Sequence, residues 1–419
     1  MKAVILTAGQ GSRLLPLTQS KTKGMINIGN RPILEYIINA VRSAGISDIL
    51  MVVGYGEEKV MNHFGDGRDY KMKITYLHQK RFLGTAHALS LAKDHLDGDF
   101  LVLPGDNIID SKGLEKLVQC KNEEAAILVT SCNRPSKYGV IGLKGDYVSK
   151  LVEKPKITGD LLSTGMPSIF SLALWEYKEE TISNIISTGT YRFSPNVFQL
   201  IEEMSTKDEH TLADLIQHLL EQGRRIRAFE TDLWVDAVYP FDIIDMNSII
   251  LPMSTGAVGG RIEKSATIVG PVTIGEDSEI RSGCYIQGPV VIGKGCVIGP
   301  NVVINPTTSI GQNVVVEPFT VIRNSVIMDD VNIKSHAHIS NSVIAEGVKV
   351  GIGFMTDTTP STVRLHEYSH SKQLGAIIGE DSTIGHGVVV NSGVIIGCRA
   401  NISSQKTIDR NVPNGTVIM

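Results

Sequence analysis

From Ile262 onward an aliphatic residue returns every six positions. Ile262, Ile268, Ile274, Ile280, Ile286, Ile292, Ile298, Ile304, Ile310, Val316 and Ile322 form eleven consecutive hits. A helix repeats every 3.6 residues and a strand every two, so a period of six is neither. It is the repeat of a β-helix, in which each aliphatic side chain points inward and stacks on its counterparts in neighbouring coils. Glycine often follows, as at Gly275, Gly293, Gly299 and Gly311. The spacing slips by one residue at Ile327 and again at Ile344, and returns at Ile378, Ile384, Val390, Ile396, Ile402 and Ile408.

The chain before this array follows a different pattern. Apolar runs at Ile49–Val53, Ile74–Leu77 and Phe100–Leu103 predict buried parallel strands. Helical patterns at Pro32–Ser43, Glu57–Phe64 and Thr85–His95 separate them, and others follow at Val197–Met204 and Leu212–Gln222. This alternation predicts a doubly wound α/β domain, whose ligands sit beyond the carboxyl ends of the strands. The expected division is 1–250 for that domain, a small-residue linker at 251–260, and 261–419 for the β-helix. An insertion at 351–373, with Arg364, His366, Tyr368, His370 and Lys372, interrupts the repeat.

Composition excludes several classes. The net charge of −4, with both signs mixed, gives no nucleic-acid scaffold. Five cysteines stand far apart without metal-site spacing, which fits a reducing cytoplasm. No run approaches the length of a membrane helix, and the apolar start lacks the features of a signal peptide.

The amino-terminal stretch carries the chemistry. A strand at Ala3–Leu6 runs into Thr7-Ala8-Gly9-Gln10-Gly11, followed by Arg13, Pro16, Thr18 and Lys23. Glycine loops let backbone N–H groups approach phosphate oxygens closely, and the two cations neutralise their charge. Leu14 stands where a dinucleotide fingerprint needs its third glycine, and Lys23-Gly24-Met25 does not complete a Walker loop. The pattern G-x-G-x-R-x-x-P-x-T-x-x-x-x-K resembles the signature of sugar-1-phosphate nucleotidylyltransferases. That family usually has proline on both sides of the lysine; Thr22 and Gly24 are here instead, which predicts a less constrained loop.

Further segments extend the resemblance in the same order: Gln79 with Gly84-Thr85-Ala86, Leu103-Pro104-Gly105-Asp106, Tyr138-Gly139-Val140, Glu153-Lys154-Pro155 and Trp234-Val235-Asp236. Taken residue by residue, it implies that Ala8, Gly9, Gly11, Gln79, Gly84 and Thr85 bind the nucleotide. Gln79 would pair with the edge of uracil or thymine, while Thr85 also suits a helix N-cap. Asp106 and Asp236 would ligate Mg²⁺. Arg13 and Lys23 would stabilise the pyrophosphate, and Lys154 the sugar phosphate. Gly139 and Glu153 would meet the sugar, with Ser163 in the place of the family's asparagine. Val238 and Tyr239 replace the family's Gly-Thr.

The implied reaction is nucleotidyl transfer from UTP or dTTP to glucose 1-phosphate or GlcNAc 1-phosphate. The array resembles left-handed β-helix domains, which usually form homotrimers. The whole chain resembles archaeal-type fusions of nucleotidylyltransferase and acetyltransferase. The acetyltransferase motif is altered, leaving His336 or His338 as an acetyl-CoA-dependent base. A second reading is therefore a bifunctional enzyme. A third is a non-catalytic subunit, marked by loss of phosphate and metal residues.

Overall fold

The computed structural model describes residues 1–121, 123–132, 135–153, 184–204, 210–365 and 368–419, with 361–365 and 368–372 described through their backbone. They form two compact units, Met1–Gly9 with Leu34–Val235, and Gln10–Ile33 with Asp236–Met419.

The first unit is built on a nine-stranded sheet. Strands Lys73–His78, Asp48–Val53, Lys2–Leu6 and Phe100–Pro104 lie side by side and parallel. Their near-continuous apolar sequences suit strands covered on both faces. Val4, Ile5, Val52 and Val102 are fully buried. The rest of the sheet is not parallel throughout. Ile185–Phe193 runs antiparallel to both Phe100–Pro104 and Ala125–Ser131. Ile226–Glu230 lies parallel to Ala125–Ser131, and the Tyr147–Glu153 and Gly139–Lys144 hairpin closes the order. The domain is thus a mixed α/β sheet with a parallel half, and the parallel half carries the loops of interest.

The second unit contains the β-helix. Three parallel sheets of nine, eight and seven strands stack short strands coil upon coil. The six-residue array lines the interior: Ile280, Ile286, Ile298, Ile304, Ile310, Ile322, Ile333 and Ile339 are all fully buried. Corners between strands carry residues in the left-handed region, many of them Asn or Asp, at 277, 301, 313, 330 and 381, where those side chains are best tolerated. The slips have a structural cause. Ile304 stands opposite Ile322, eighteen residues on, whereas Ile310 stands opposite Ile327, seventeen on. The shortened corners sit at Asn324 and Asn341, both with positive φ, and Asn324 Nδ2 donates to Asn341 Oδ1 at 2.8 Å.

The inserted stretch is narrower than the sequence suggests. Met355–Thr356 remains a strand of the helix, paired with Val389 and Val390, and Phe354 is fully buried. What leaves the coil afterwards is an antiparallel hairpin, Ser361–Leu365 with Tyr368–Lys372; His366 lies outside the described residues. The expected linker is also structured, since Val258 bridges Ile274 and Gly259 N donates to Ile274 O at 2.8 Å. Among the described residues no helix is long and apolar enough to cross a membrane.

Candidate active site

In the first unit the carboxyl ends of the four parallel strands are laced together. Leu6 stands level with Val52 and Pro104. Thr7 N donates to Val52 O (2.9 Å), Gly105 N to Leu6 O (2.8 Å), Tyr55 N to Ala8 O (3.0 Å) and Gln79 N to Val53 O (2.8 Å). Ala8, Gly9, Gln79 and Asp106 are therefore gathered on one edge. Two glycines there do different work. A Cβ on Gly105 would lie 2.6 Å from Thr7 Cβ, so glycine is needed for the strands to close up before Asp106. A Cβ on Gly9 would meet nothing within 4 Å among the described residues, so packing there does not require glycine.

Gln79 is buried, and its amide is committed in part. Nε2 lies 3.0 Å from His87 Nδ1 and donates to Gly84 O at 3.3 Å. Both contacts use the amide nitrogen, and the amide oxygen is an acceptor. Gly84 has φ of +84°, and a Cβ there would collide with His210 O at 2.1 Å. The glycine thus allows a close approach of the 210 backbone. Thr85 is not an N-cap either: the helix runs Gly84–Ser90 with Leu83 before it. The Thr85 hydroxyl instead accepts from Leu212 N (2.9 Å) at the start of the helix Leu212–Glu221.

Gly139 and Glu153 are cross-strand partners, and a Cβ on Gly139 would lie 3.0 Å from Glu153 Oε2. The pair expected at the sugar is therefore brought together. Behind it Tyr191 is buried, its phenol 3.2 Å from Ser187 Oγ. Burial pushes the Tyr191 phenol up to about 12; the Ser187 hydrogen bond opposes it, and the Glu153 charge adds a lesser upward push. Lys154 and Ser163 lie outside the described residues.

The second unit holds the cationic part of the signature. Gly11 is left-handed, with φ of +68°, and Thr18 Oγ1 donates to its carbonyl at 2.9 Å. This closes the turn that displays Arg13, exposed in the short helix Ser12–Leu14. Lys23 is not loosely held, despite its missing prolines. It opens a 3₁₀ turn, Lys23–Met25, in which Ile26 N donates to Lys23 O (3.0 Å). Its ammonium pairs with Asp236 Oδ1 at 2.5 Å. Val238 and Tyr239 also have a role of their own: their N–H groups donate to Asp242 Oδ2 (2.9 and 2.8 Å), fixing the start of the helix Asp242–Ile250.

The histidines on the β-helix are well separated in character. His336 is exposed, left-handed and stacked on Phe319 with ring centroids 5.1 Å apart. His338 is half-buried in the strand His338–Ser340. Desolvation, and then Arg323, hold its imidazole below the ordinary histidine range. Among the described residues there is no group of three or more His, Cys, Asp or Glu able to hold a metal.

Two family models match separate parts of the chain. A nucleotidyl transferase family model matches residues 2–251, and a GMPPB C-terminal domain model matches 286–417. The bifunctional protein GlmU of Methanococcus maripaludis is 32% identical over 98% of this chain and 95% of its own length. A glucose-1-phosphate thymidylyltransferase of Streptomyces antibioticus is 30% identical over 70% of this chain and 78% of its own. A solved Bacillus anthracis structure, described as a glucose-1-phosphate thymidylyltransferase in complex with a sucrose, superposes with a TM-score of 0.51. It is 25% identical and covers 59% of this chain and 94% of that one. The chain belongs to the nucleotidyl transferase family of enzymes, with a left-handed parallel β-helix after the transferase domain.

Proposed function

We propose that the chain transfers a nucleotidyl group from UTP or dTTP to a sugar 1-phosphate, releasing pyrophosphate. The observation that carries this reading is the Lys23–Asp236 pair, a cation and a carboxylate of the signature held together in a chain that also keeps Arg13 and Asp106. A non-catalytic subunit would be marked by the loss of these residues, and all four are present.

Asp106 and Asp236 are assigned to a divalent cation. Asp106 and Asp236 are hard oxygen donors, and the Lys23 ammonium already stands as a cation against Asp236. Such carboxylate donors would suit Mg²⁺, which binds through one or two carboxylates together with substrate phosphates. When bound, the ion would neutralise phosphate charge. An oxygen of the sugar phosphate attacks the α-phosphorus; the new O–P bond forms as the bond to the pyrophosphate breaks. Both reactants are anions, so positioning and charge neutralisation carry the rate. Arg13 and Lys23 are assigned to the departing pyrophosphate and Lys154 to the attacking phosphate. Gln79 is assigned to the pyrimidine, with its oxygen accepting from the ring N–H. Gly139, Glu153 and Ser163 are assigned to the sugar. The attacking phosphate is already ionised, so no general base is required.

A second reading adds acetyl transfer from acetyl-CoA to an amino sugar phosphate. It is favoured by His338, a half-buried imidazole in the strand His338–Ser340 that desolvation and Arg323 hold below the ordinary histidine range, since histidine is the side chain suited to proton transfer near neutral pH. His336, exposed and stacked, is the weaker candidate. Assembly as a homotrimer through the β-helix and a cytoplasmic setting, fitting five free cysteines, belong to the same proposal. Pyrophosphate release across a panel of sugar 1-phosphates and nucleotides tests the first activity. Thiol release from acetyl-CoA with glucosamine 1-phosphate tests the second, and its persistence unchanged in His338→Ala would remove that base.

A further inference from the structure

The segment between the two signature cations runs along one corner of the β-helix. Ile327, Ile344 and Ile378 stack in register in successive coils. Two residues after each comes an acid: Asp329, Glu346 and Glu380. Residues 16–30 follow this column. Cys398 Sγ donates to Pro16 O at 3.4 Å, Asn414 Nδ2 to Gln19 Oε1 at 3.0 Å, and Ser20 Oγ lies 2.8 and 2.6 Å from the two oxygens of Glu380. Lys21 pairs with Glu346, and its Nζ lies 3.6 Å from Glu380 Oε1. Beyond it, Asn30 Nδ2 donates to Ile310 O at 2.5 Å, and Asn247 links Gly29 N (3.0 Å) to Thr307 O (3.1 Å).

Lys21 is the pivot of this track. Its side chain is only 5% exposed, and Glu380 is 14% exposed. A buried charge persists only when paired, so the lysine cannot leave both carboxylates cheaply. Burial, the largest influence on it, raises Asp329 above the usual carboxylate range. Thr22 alone separates Lys21 from the 3₁₀ turn that begins at Lys23.

We propose that the β-helix is a working part of nucleotidyl transfer: Glu346 and Glu380, acting through Lys21, are positioning residues that set the place of Lys23. This rests on the reading above, in which Lys23 meets the triphosphate. It gives the second domain a role that does not depend on acetyl transfer.

The test uses the full chain with Glu346→Gln, Glu380→Gln, Lys21→Met and the charge exchange Lys21→Glu/Glu346→Lys. Lys294→Met, which removes an exposed pair with Asp277, is the control. The expected result is a fall in kcat/KM for the nucleotide of about ten- to a hundredfold, the scale of a small misplacement. The KM of the sugar phosphate changes less, the exchange variant recovers part of the loss, and the control is unaffected. Glu380→Gln keeps the test open if Lys21→Met fails to fold. Folded variants with unchanged kcat and KM, even at lowered Tm, would reduce the track to a fastening and overturn the inference. A wild-type chain that turns over no substrate would defeat the parent reading instead. The comparison would then be made by thermal shift with UTP and dTTP: a smaller shift in the variants supports the inference, and an equal shift overturns it.

Discussion

Lys23 Nζ lies 2.5 Å from Asp236 Oδ1, with the two side chains only 10% and 13% exposed. Removing one partner deprives the other charge of this ion pair in a mostly buried place, at a cost of up to about 3–5 kcal/mol. Lys23→Met and Asp236→Asn are each expected to lower stability in urea denaturation. The double variant should regain much of that stability. It should not regain activity if, as proposed, both side chains act on phosphate charge; losses of about 10²–10³ in kcat are then expected, as for other electrostatic groups.

Gly9 and Gly105 separate a ligand role from a packing role. Gly105→Ala drives a methyl against Thr7 and should cost about 1–3 kcal/mol, the usual penalty of overpacking. Gly9→Ala meets open space and should leave stability within about 0.5 kcal/mol. It should nevertheless raise KM for the nucleotide, because the methyl occupies the approach to the loop. Parallel melting curves and steady-state kinetics on the two variants check this; a Gly9→Ala enzyme with unaltered KM would argue against the loop as the phosphate cradle.

Tyr191 predicts an alkaline limb. Its phenol is pushed up to about 12 in the folded chain, while an unfolded tyrosine titrates near 10. The folded state therefore keeps its proton where the unfolded state loses it. The stability linked to this group is complete below pH 10 and falls as the pH rises from there toward 12. Tyr191→Phe should soften the loss between those values, as read by denaturation midpoints from pH 8 to 12.

The shortened corners can be tested at Asn324. Its φ is +44°, and its amide donates to Asn341. Asn324→Ala places a Cβ residue without a polar side chain in the left-handed region and deletes that bond. A loss of about 1–3 kcal/mol follows. Asn324→Gly keeps the conformation and loses the bond, so it should cost less than Asn324→Ala.

These sites show which parts of the chain could be read from residue types alone. The β-helix was legible because its signal is one-dimensional: each coil repeats the same inward aliphatic position, from Ile280 to Ile408. The parallel strands around Lys2–Leu6 were legible for a similar reason, their apolar runs. The mixed half of the sheet was not, since strand direction depends on distant pairings such as Ile185–Phe193 against Phe100–Pro104. Motif residues were identifiable, but their partners were not. Missing prolines suggested a loose Lys23, whereas a 3₁₀ turn and Asp236 hold it. Gly84 lies against the His210 backbone and Thr85 accepts from Leu212 N, contacts that no local pattern announces. The track through Lys21 was missed for the same reason, although acids two residues after Ile327, Ile344 and Ile378 were a visible signal once the repeat was known.

The most direct measurement is pyrophosphate release by the full chain with UTP or dTTP, a panel of sugar 1-phosphates and Mg²⁺, repeated with EDTA. The account predicts one pyrophosphate per nucleotide sugar formed, abolished by EDTA, restored by Mg²⁺, and lost in Asp106→Asn and Asp236→Asn. No pyrophosphate with any pair of substrates, or release that is indifferent to both aspartates, would contradict it.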